Sequence, residues 1–85
     1  MSNVYLGYNK IKDIYYVNFK NPYTGKRVTR SLEKYVGKDE YLAKSLKEDL
    51  SRVLDDLDIG VLLKTVKTKY SENIIDLIVS GESQK

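Results

Sequence analysis

The hydrophobic pattern of this chain changes period once, and that change restricts the fold more than any other feature of the sequence. In two short stretches, 14–19 and 26–32, apolar residues of one set lie an even number of positions apart: Tyr15, Val17 and Phe19 in the first, and Val28 and Leu32 in the second. From residue 42 to residue 57, apolar residues instead recur three and four positions apart. A period of two is typical of a strand with one buried face, whereas spacings of three and four are typical of an amphipathic helix. The sequence therefore predicts an α+β fold in which a sheet precedes the helices.

Three antiparallel strands are predicted in the first part of the chain. They cover Val4–Tyr8, Ile14–Phe19 and Lys26–Leu32. The segment between the second and third strands, residues 21–26, contains Pro22 and Gly25. Proline presets φ for the first part of a turn, and glycine accepts the left-handed conformation that closes a hairpin. We therefore expect residues 22–25 to form the loop of a hairpin.

A loop of this length also predicts the register between the second and third strands. The pairs are Lys20 with Arg27, Phe19 with Val28, Val17 with Arg30 and Tyr15 with Leu32. One face then collects the apolar residues Tyr15, Val17, Phe19, Val28 and Leu32, together with Arg30, whose guanidinium we expect to reach outward to water. The other face collects Lys12, Ile14, Tyr16, Asn18, Lys20, Arg27, Thr29 and Ser31. Because a one-residue slip would mix the two sets, the segregation itself supports this register.

An amphipathic helix is predicted over Glu40–Asp56, with Asp39 as its N-cap and Gly60 as its C-terminal stop. Its apolar stripe consists of Leu42, Leu46, Leu50, Val53, Leu54 and Leu57. A three-stranded sheet needs such a partner because it is not stable alone. We expect the stripe to cover the apolar face of the sheet and to leave the polar face open.

Residues 61–78 predict a further helical segment, because Leu63, Val66, Tyr70 and Ile74 follow helical spacing. Ser71 is a candidate cap, so the segment is one helix or two short ones, ending before Gly81. A strand over 61–70 is the alternative, since several of its residues are β-branched. The predicted organisation is a sheet-and-helix module over 1–60, a helical extension of the same domain over 61–80 and a polar tail over 81–85.

The composition excludes most catalytic and metal sites. With no Cys and no His, the chain lacks thiol nucleophiles, the commonest general base and the usual zinc ligands. The acidic run Asp55–Asp58 lacks the spacing of a calcium loop and is expected to be a solvated helix end. No apolar run approaches the length of a membrane span. We expect a cytoplasmic protein that is not an enzyme, with no cofactor, small-molecule substrate or membrane contact.

Positive charge is concentrated in the predicted sheet. Residues 1–35 hold seven Lys or Arg against two Asp or Glu, a net charge of +5, and the rest of the chain has a net charge of −2. Seven of the nine aromatic residues lie in the same segment. Lysine and arginine neutralise phosphates and tyrosine adds stacking area, so this combination favours a nucleic-acid surface. The competing interpretation is an ordinary solvated sheet face, because tyrosine is also a good strand former.

The candidate DNA-binding residues are those of the predicted polar face and its rim. Asn18 has the two groups that pair with an adenine edge, and Arg27 and Lys20 can reach guanine edges or phosphates. Thr29 and Tyr16 offer a methyl or hydroxyl contact. The complete set is Lys12, Tyr16, Asn18, Lys20, Lys26, Arg27 and Thr29. The major groove of double-stranded DNA admits a β-ribbon as well as a helix.

The order of these elements resembles the N-terminal arm-type DNA-binding domain of phage and conjugative-transposon tyrosine recombinases (integrases). The resemblance covers about residues 4–57 and rests on the aromatic strand 14–19, the turn ending Gly25-Lys26-Arg27, the basic third strand and the helix over 40–56. It implies a role in DNA recombination in a mobile element, with the open sheet face in the major groove. Asn18, Lys20, Arg27 and Thr29 would face the groove, with Lys10, Lys12, Tyr16 and Lys26 nearby.

Two departures limit what this resemblance implies. The recombinase catalytic set cannot be assembled without His and without a catalytic domain, so no strand cleavage is expected. Residues 61–80 extend beyond what such a domain needs. The chain would be either part of a larger integrase or a stand-alone binder. The alternative function is a small phage- or plasmid-type interaction module that binds itself, as a homodimer, or a protein partner through the apolar stripe of residues 61–78.

Overall fold

A computed structural model describes residues 4–83 of the chain, with side chains described for residues 4–79. The strands are β1 (Tyr5–Asn9), β2 (Ile14–Lys20) and β3 (Arg27–Ser31), and they form one antiparallel sheet in the order β1-β2-β3. The helices are α1 (Glu33–Val36), α2 (Glu40–Asp58), α3 (Leu63–Lys69) and α4 (Glu72–Ser83). The predicted α+β fold, a three-stranded antiparallel sheet with helices, is confirmed.

The predicted register between β2 and β3 is also confirmed. Lys20 pairs with Arg27, Phe19 with Val28 and Val17 with Arg30. The Leu32 N–H donates to the carbonyl of Tyr15 at 2.9 Å, which extends the pairing by one residue. Val17, Phe19 and Leu32 are fully buried, whereas Arg30 is half-buried and its guanidinium donates to the carbonyl of Thr29.

Helix α2 begins where the sequence predicts. Its N-cap is Asp39, whose carboxylate accepts a hydrogen bond from the Leu42 N–H at 3.0 Å. After its last residue the chain turns at Gly60, which has a φ of 97°. The predicted stripe is wrong at Leu42, which is 47% exposed. Ala43 takes the buried position in the first turn, so the stripe runs through Ala43, Leu46, Leu50, Val53 and Leu54.

The single helical turn α1 was not predicted. The carbonyl of Leu32 accepts hydrogen bonds from the Tyr35 and Val36 N–H groups, and the turn ends at Gly37 with a φ of 61°. A four-residue helix has too few positions for a hydrophobic period to be visible in the sequence. It turns the chain from the edge of the sheet into α2.

Residues 61–83 form two helices, which excludes the strand alternative over 61–70. Val66 is fully buried and Tyr70 is half-buried. In this segment the helical spacing of the apolar residues therefore outweighs the strand preference of its β-branched residues. The predicted stop before Gly81 is wrong, because α4 continues to Ser83. A glycine weakens a helix by about 1 kcal/mol but does not by itself end one. Of the predicted polar tail 81–85, residues 84–85 lie outside the described residues.

The sheet and the helices share one hydrophobic core. Val17 and Phe19 of β2 lie in the same cluster as Leu50 of α2, Val66 of α3 and Ile78 of α4. Ile74 and Leu77 are also almost completely buried. Most of the apolar stripe of residues 61–78 is thus buried in the core, although Leu62 is 70% exposed. For the same reason, residues 61–78 cannot be removed without opening the core.

Asn21 joins the β2–β3 turn to α4. It is 1% exposed, and its amide oxygen accepts hydrogen bonds from the Tyr23 and Thr24 N–H groups at 2.8 and 3.3 Å. Its amide nitrogen donates to the carbonyl of Ile78 at 3.4 Å. The backbone of Asn21 exchanges further hydrogen bonds with Gly25 and Lys26. A buried asparagine with both amide groups bonded therefore sets the position of the turn that precedes β3.

Candidate nucleic-acid interface

The side of the sheet that faces away from α2 carries the candidate site, and we call it the open face. Strand pairing assigns it ten residues, because residues directly opposite each other in antiparallel strands point to the same side. They are Tyr5, Gly7 and Asn9 of β1, Ile14, Tyr16, Asn18 and Lys20 of β2, and Arg27, Thr29 and Ser31 of β3. None of these ten is Asp or Glu.

The side chain of Arg27 crosses the middle of the open face. Its Nε donates to Asn18 Oδ1 at 2.6 Å and its Nη2 donates to the Asn18 carbonyl at 3.3 Å. Its guanidinium carbon lies 5.1 Å from the centre of the Tyr5 ring on the far strand. Asn18 Nδ2 donates to Thr29 Oγ1 at 3.0 Å. The network holds the guanidinium in one position, because each hydrogen bond and the ring contact restrict its rotamers.

In the unbound chain, Asn18 also has a role that the sequence did not predict. Both groups of its carboxamide are engaged inside the sheet, one with Arg27 and one with Thr29. Each group keeps one further site, a second lone pair on Oδ1 and a second N–H on Nδ2, so an adenine edge would share the carboxamide with Arg27 and Thr29. As the sheet stands, Asn18 positions Arg27.

Two cationic residues are paired at the end of the open face. Lys20 and Arg27 are directly opposite each other in the β2–β3 register, and both are exposed. The Arg27 guanidinium extends from this pair toward Asn18 and Tyr5, so positive charge is spread from the end of the open face to its middle. Among the described residues, no carboxylate forms an ion pair with Lys20 or with the neighbouring Lys26.

The ring of Tyr16 lies against β1 at Gly7. A Cβ atom placed on Gly7 would be 2.2 Å from Tyr16 Cζ and 2.6 Å from its Cε1, which is far inside normal contact distance. Gly7 and Tyr16 are opposite each other in the β1–β2 register. The glycine thus leaves the space in which the tyrosine ring crosses the open face.

Lys12 lies at one end of the open face, in the loop of residues 10–13 that joins β1 to β2. It lines an open depression of about 460 Å³ together with Ile14, Tyr16 and Thr29. The depression is shallow, so it is suited to a broad partner surface and not to an enclosed small molecule.

The structure brings together most of the predicted site. Tyr16, Asn18, Lys20, Arg27 and Thr29 share the open face. Lys12 lies at its rim, and Lys26 lies in the turn immediately before β3. Tyr5 and Gly7 were not among the predicted site residues, because the register of β1 was not assigned from the sequence. The alternation of β1 against β2 would have placed both on this face.

On the opposite side of the sheet, titratable groups stabilise turns and helix contacts. The Tyr8 hydroxyl donates to Asp13, and this bond, followed by the contact with Lys38 at 3.0 Å, keeps the pKa of Asp13 below its usual value. The same bond raises the pKa of Tyr8. Each group is tied to a partner nearby, which indicates a structural role.

A second set of paired groups lies at the contact of α1 with α4. Burial and the hydrogen bond from its hydroxyl to Asp76 raise the pKa of Tyr35 to about 12. That hydrogen bond is also the main cause of the lowered pKa of Asp76, to which Lys34 adds an ion pair at 3.6 Å. These residues belong to the wall of an open groove of about 580 Å³.

Asp56, in the acidic run at the end of α2, makes contacts within the fold. Asp56 accepts a hydrogen bond from the Tyr70 hydroxyl at 3.0 Å and lies 3.6 Å from Lys69 Nζ. No group of three or more potential metal ligands occurs in the part of the chain that the structure describes. Asp56 thus joins α2 to the end of α3.

Comparisons with known proteins add no relative: no family model, curated protein or solved structure matches this chain. Within residues 4–83, no helix combines the length and the apolar character that crossing a membrane requires. The case for a function therefore depends on the open face and its surroundings.

Proposed function

We propose that this chain is a cytoplasmic DNA-binding domain that lays its open face in the major groove of double-stranded DNA. The observation that carries the proposal is a face of ten residues without a carboxylate, in which Lys20 and Arg27 are directly opposed. Lysine and arginine side chains bind phosphate oxygens, and base edges lie between the two phosphate backbones.

The hydrogen-bond network supports Arg27 as the residue that contacts bases or phosphates. An arginine that is already oriented loses less side-chain freedom when it binds a bidentate acceptor. Asn18 and Tyr5 act as positioning residues, since both contact the guanidinium. Thr29 in turn orients the Asn18 carboxamide.

Charge around the face supports a phosphate backbone as the partner. Lys10, Lys12, Lys20 and Lys26 surround or belong to the open face, and none has an ion pair with a described carboxylate. Of the seven described lysines after residue 33, Lys34, Lys38, Lys44 and Lys69 each lie within 4 Å of a carboxylate, whereas Lys47, Lys64 and Lys67 have no such ion pair. If six cations contact phosphates, the logarithm of the affinity falls with the logarithm of salt concentration with a slope of roughly −5.

We further propose that the chain acts as an arm-type DNA-binding domain of the kind found in tyrosine recombinases. The element order that suggested the resemblance, a sheet of three strands followed by a long helix, is the order of this fold. The proposed role is binding of an arm-type site during DNA recombination in a mobile element, with strand cleavage carried out elsewhere.

The test is a titration with a fluorescently labelled mixed-sequence duplex, followed by anisotropy at low and moderate salt. Arg27→Ala is expected to lower the affinity by about 5- to 150-fold, the equivalent of one good base contact. Amide shifts in a parallel NMR titration should concentrate at alternate positions of β2 and β3, where residues face the DNA.

The matched control is Arg52→Ala, which removes the same charge from the exposed surface of α2, where Arg52 is paired with Asp49. Its effect on affinity should be small, because salt screens exposed charges beyond about 10 Å. If both variants lose the same affinity for DNA, the interaction depends only on the net charge of the protein, which would contradict the role of the open face. No binding of the wild-type chain at low salt would refute DNA binding altogether.

A further inference from the structure

The most exposed large apolar side chain among the described residues lies at the tip of a basic loop. Ile11 is 96% exposed, more than Ile59 at 78% and Leu62 at 70%. It occupies the middle of the β1–β2 loop, next to the open face. A single exposed apolar residue is common on protein surfaces, so its surroundings have to supply the argument.

The loop that carries Ile11 is held in one conformation. Asn9 Oδ1 accepts hydrogen bonds from the Ile11 and Lys12 N–H groups at 3.0 and 3.1 Å. The Asp13 N–H donates to the Asn9 carbonyl at 2.7 Å, and Asp13 adopts a left-handed φ of 57°. The Asp13 carboxylate is bonded in turn by Tyr8. The backbone that carries Ile11 is therefore fixed by hydrogen bonds, so less conformational entropy of the loop is lost on binding.

The charges next to Ile11 indicate an anionic partner that also has apolar groups. Ile11 lies between Lys10 and Lys12, both of which are exposed. Lys12 also lines the depression on the open face, so the loop is continuous with that face. By contrast, Ile59 follows Asp58 in the chain, at the end of α2. In double-stranded DNA, the thymine C5-methyl group is the apolar feature of the major groove, between two lines of phosphates.

We propose that Ile11 contacts thymine methyl groups in the major groove while Lys10 and Lys12 contact the adjacent phosphates. The proposal rests on the DNA binding proposed above and assigns it a preference for thymine at the end of the site reached by the β1–β2 loop. Ile11 would thus determine base preference without a hydrogen bond, and the two lysines would add affinity that is independent of sequence.

The test compares two probes, a short duplex of alternating A·T pairs and the same duplex with deoxyuridine in place of every thymine. The two differ only in the C5-methyl groups. The wild-type chain is expected to bind the thymine duplex about fourfold more tightly, as for one buried methyl group. In Ile11→Ala this fourfold preference should be reduced, and any preference that remains would come from the methyl contacts offered by Thr29 and Tyr16. The salt dependence should stay as in the wild type because no charge is changed.

Ile59→Ala is the matched control, since it makes the same truncation at another exposed position, and it should keep the wild-type ratio. Both variants should fold, because truncation of an exposed side chain has little effect on stability. A wild-type ratio of one, or a ratio that Ile11→Ala leaves unchanged, would overturn the thymine contact while DNA binding itself stands. Absence of binding to both duplexes would refute the two proposals together. Ile11-dependent binding to phosphatidylglycerol vesicles without a thymine preference would assign the loop to a membrane surface instead.

Discussion

Replacing Asn21 by alanine should destabilise the fold strongly, although the residue lies beside a turn. The change removes the acceptor for the Tyr23 and Thr24 N–H groups and the donor to the Ile78 carbonyl. A net intramolecular hydrogen bond contributes about 0.5–1.5 kcal/mol. With one short and two longer bonds lost, we expect the free energy of unfolding to fall by about 2–3 kcal/mol.

Urea and thermal unfolding followed by circular dichroism measure this loss. A domain of this size shifts its melting temperature by about 4–8 °C per kcal/mol, so Asn21→Ala should lower the melting temperature by about 10–20 °C. Asn73→Ala makes the same chemical change at an exposed position of α4 and should alter stability by less than about 0.5 kcal/mol. If the two variants lose the same stability, Asn21 does not join the turn to α4 and the reasoning is refuted.

Three other substitutions test separate parts of the structure. Gly7→Ala should displace the ring of Tyr16, and shifted ring proton resonances would show this. The loss of stability should stay below about 1 kcal/mol, because the end of a side chain can move aside. Unchanged Tyr16 resonances would contradict the close approach of the ring to Gly7. Asp39→Ala should lower the free energy of unfolding by about 1 kcal/mol through loss of the N-cap of α2, and an unchanged urea midpoint would count against the cap. The hydrogen bond from Tyr35 lowers the pKa of Asp76 in the folded chain. The ionised carboxylate therefore stabilises the fold at a pH above its ordinary pKa of 3.8, and this contribution is lost as the pH falls through the lower pKa of the folded state. Unfolding of Asp76→Asn between pH 5 and pH 2 should thus depend less on pH than that of the wild type, and identical pH profiles would exclude this carboxylate as a cause.

The sheet and the first long helix could be predicted because their signals are local. Alternation sets which residues of β2 and β3 face the core, and the turn around Pro22 and Gly25 sets the loop length, so the register follows from both. Asp39 and Gly60 mark the limits of α2 in the same way. Five of the seven predicted site residues lie on the open face for this reason.

Other features depend on residues that are distant in sequence. The contact between Asn21 and Ile78 joins residues 57 positions apart, and no local pattern distinguishes this asparagine from an ordinary turn residue. Tyr5 lies beside Arg27 because of the register between β1 and β2. That register is set by pairing within the sheet and could not be assigned from β1 alone. The contacts of Asn18 with Arg27 and Thr29 were not predicted for the same reason, because these partners come from a neighbouring strand.

The sequence by itself determined the α+β class, the register of one hairpin, the limits of the main helix and the concentration of positive charge in the sheet. These properties depend on side-chain period and on turn and cap residues, which act over a few neighbouring positions. Only the tertiary structure decided that α3 and α4 complete the core, that Asn21 is buried and that Arg27 lies across the sheet toward Tyr5. Those outcomes depend on which surfaces meet when the chain packs, because burial and hydrogen bonding between distant segments are set by the whole fold.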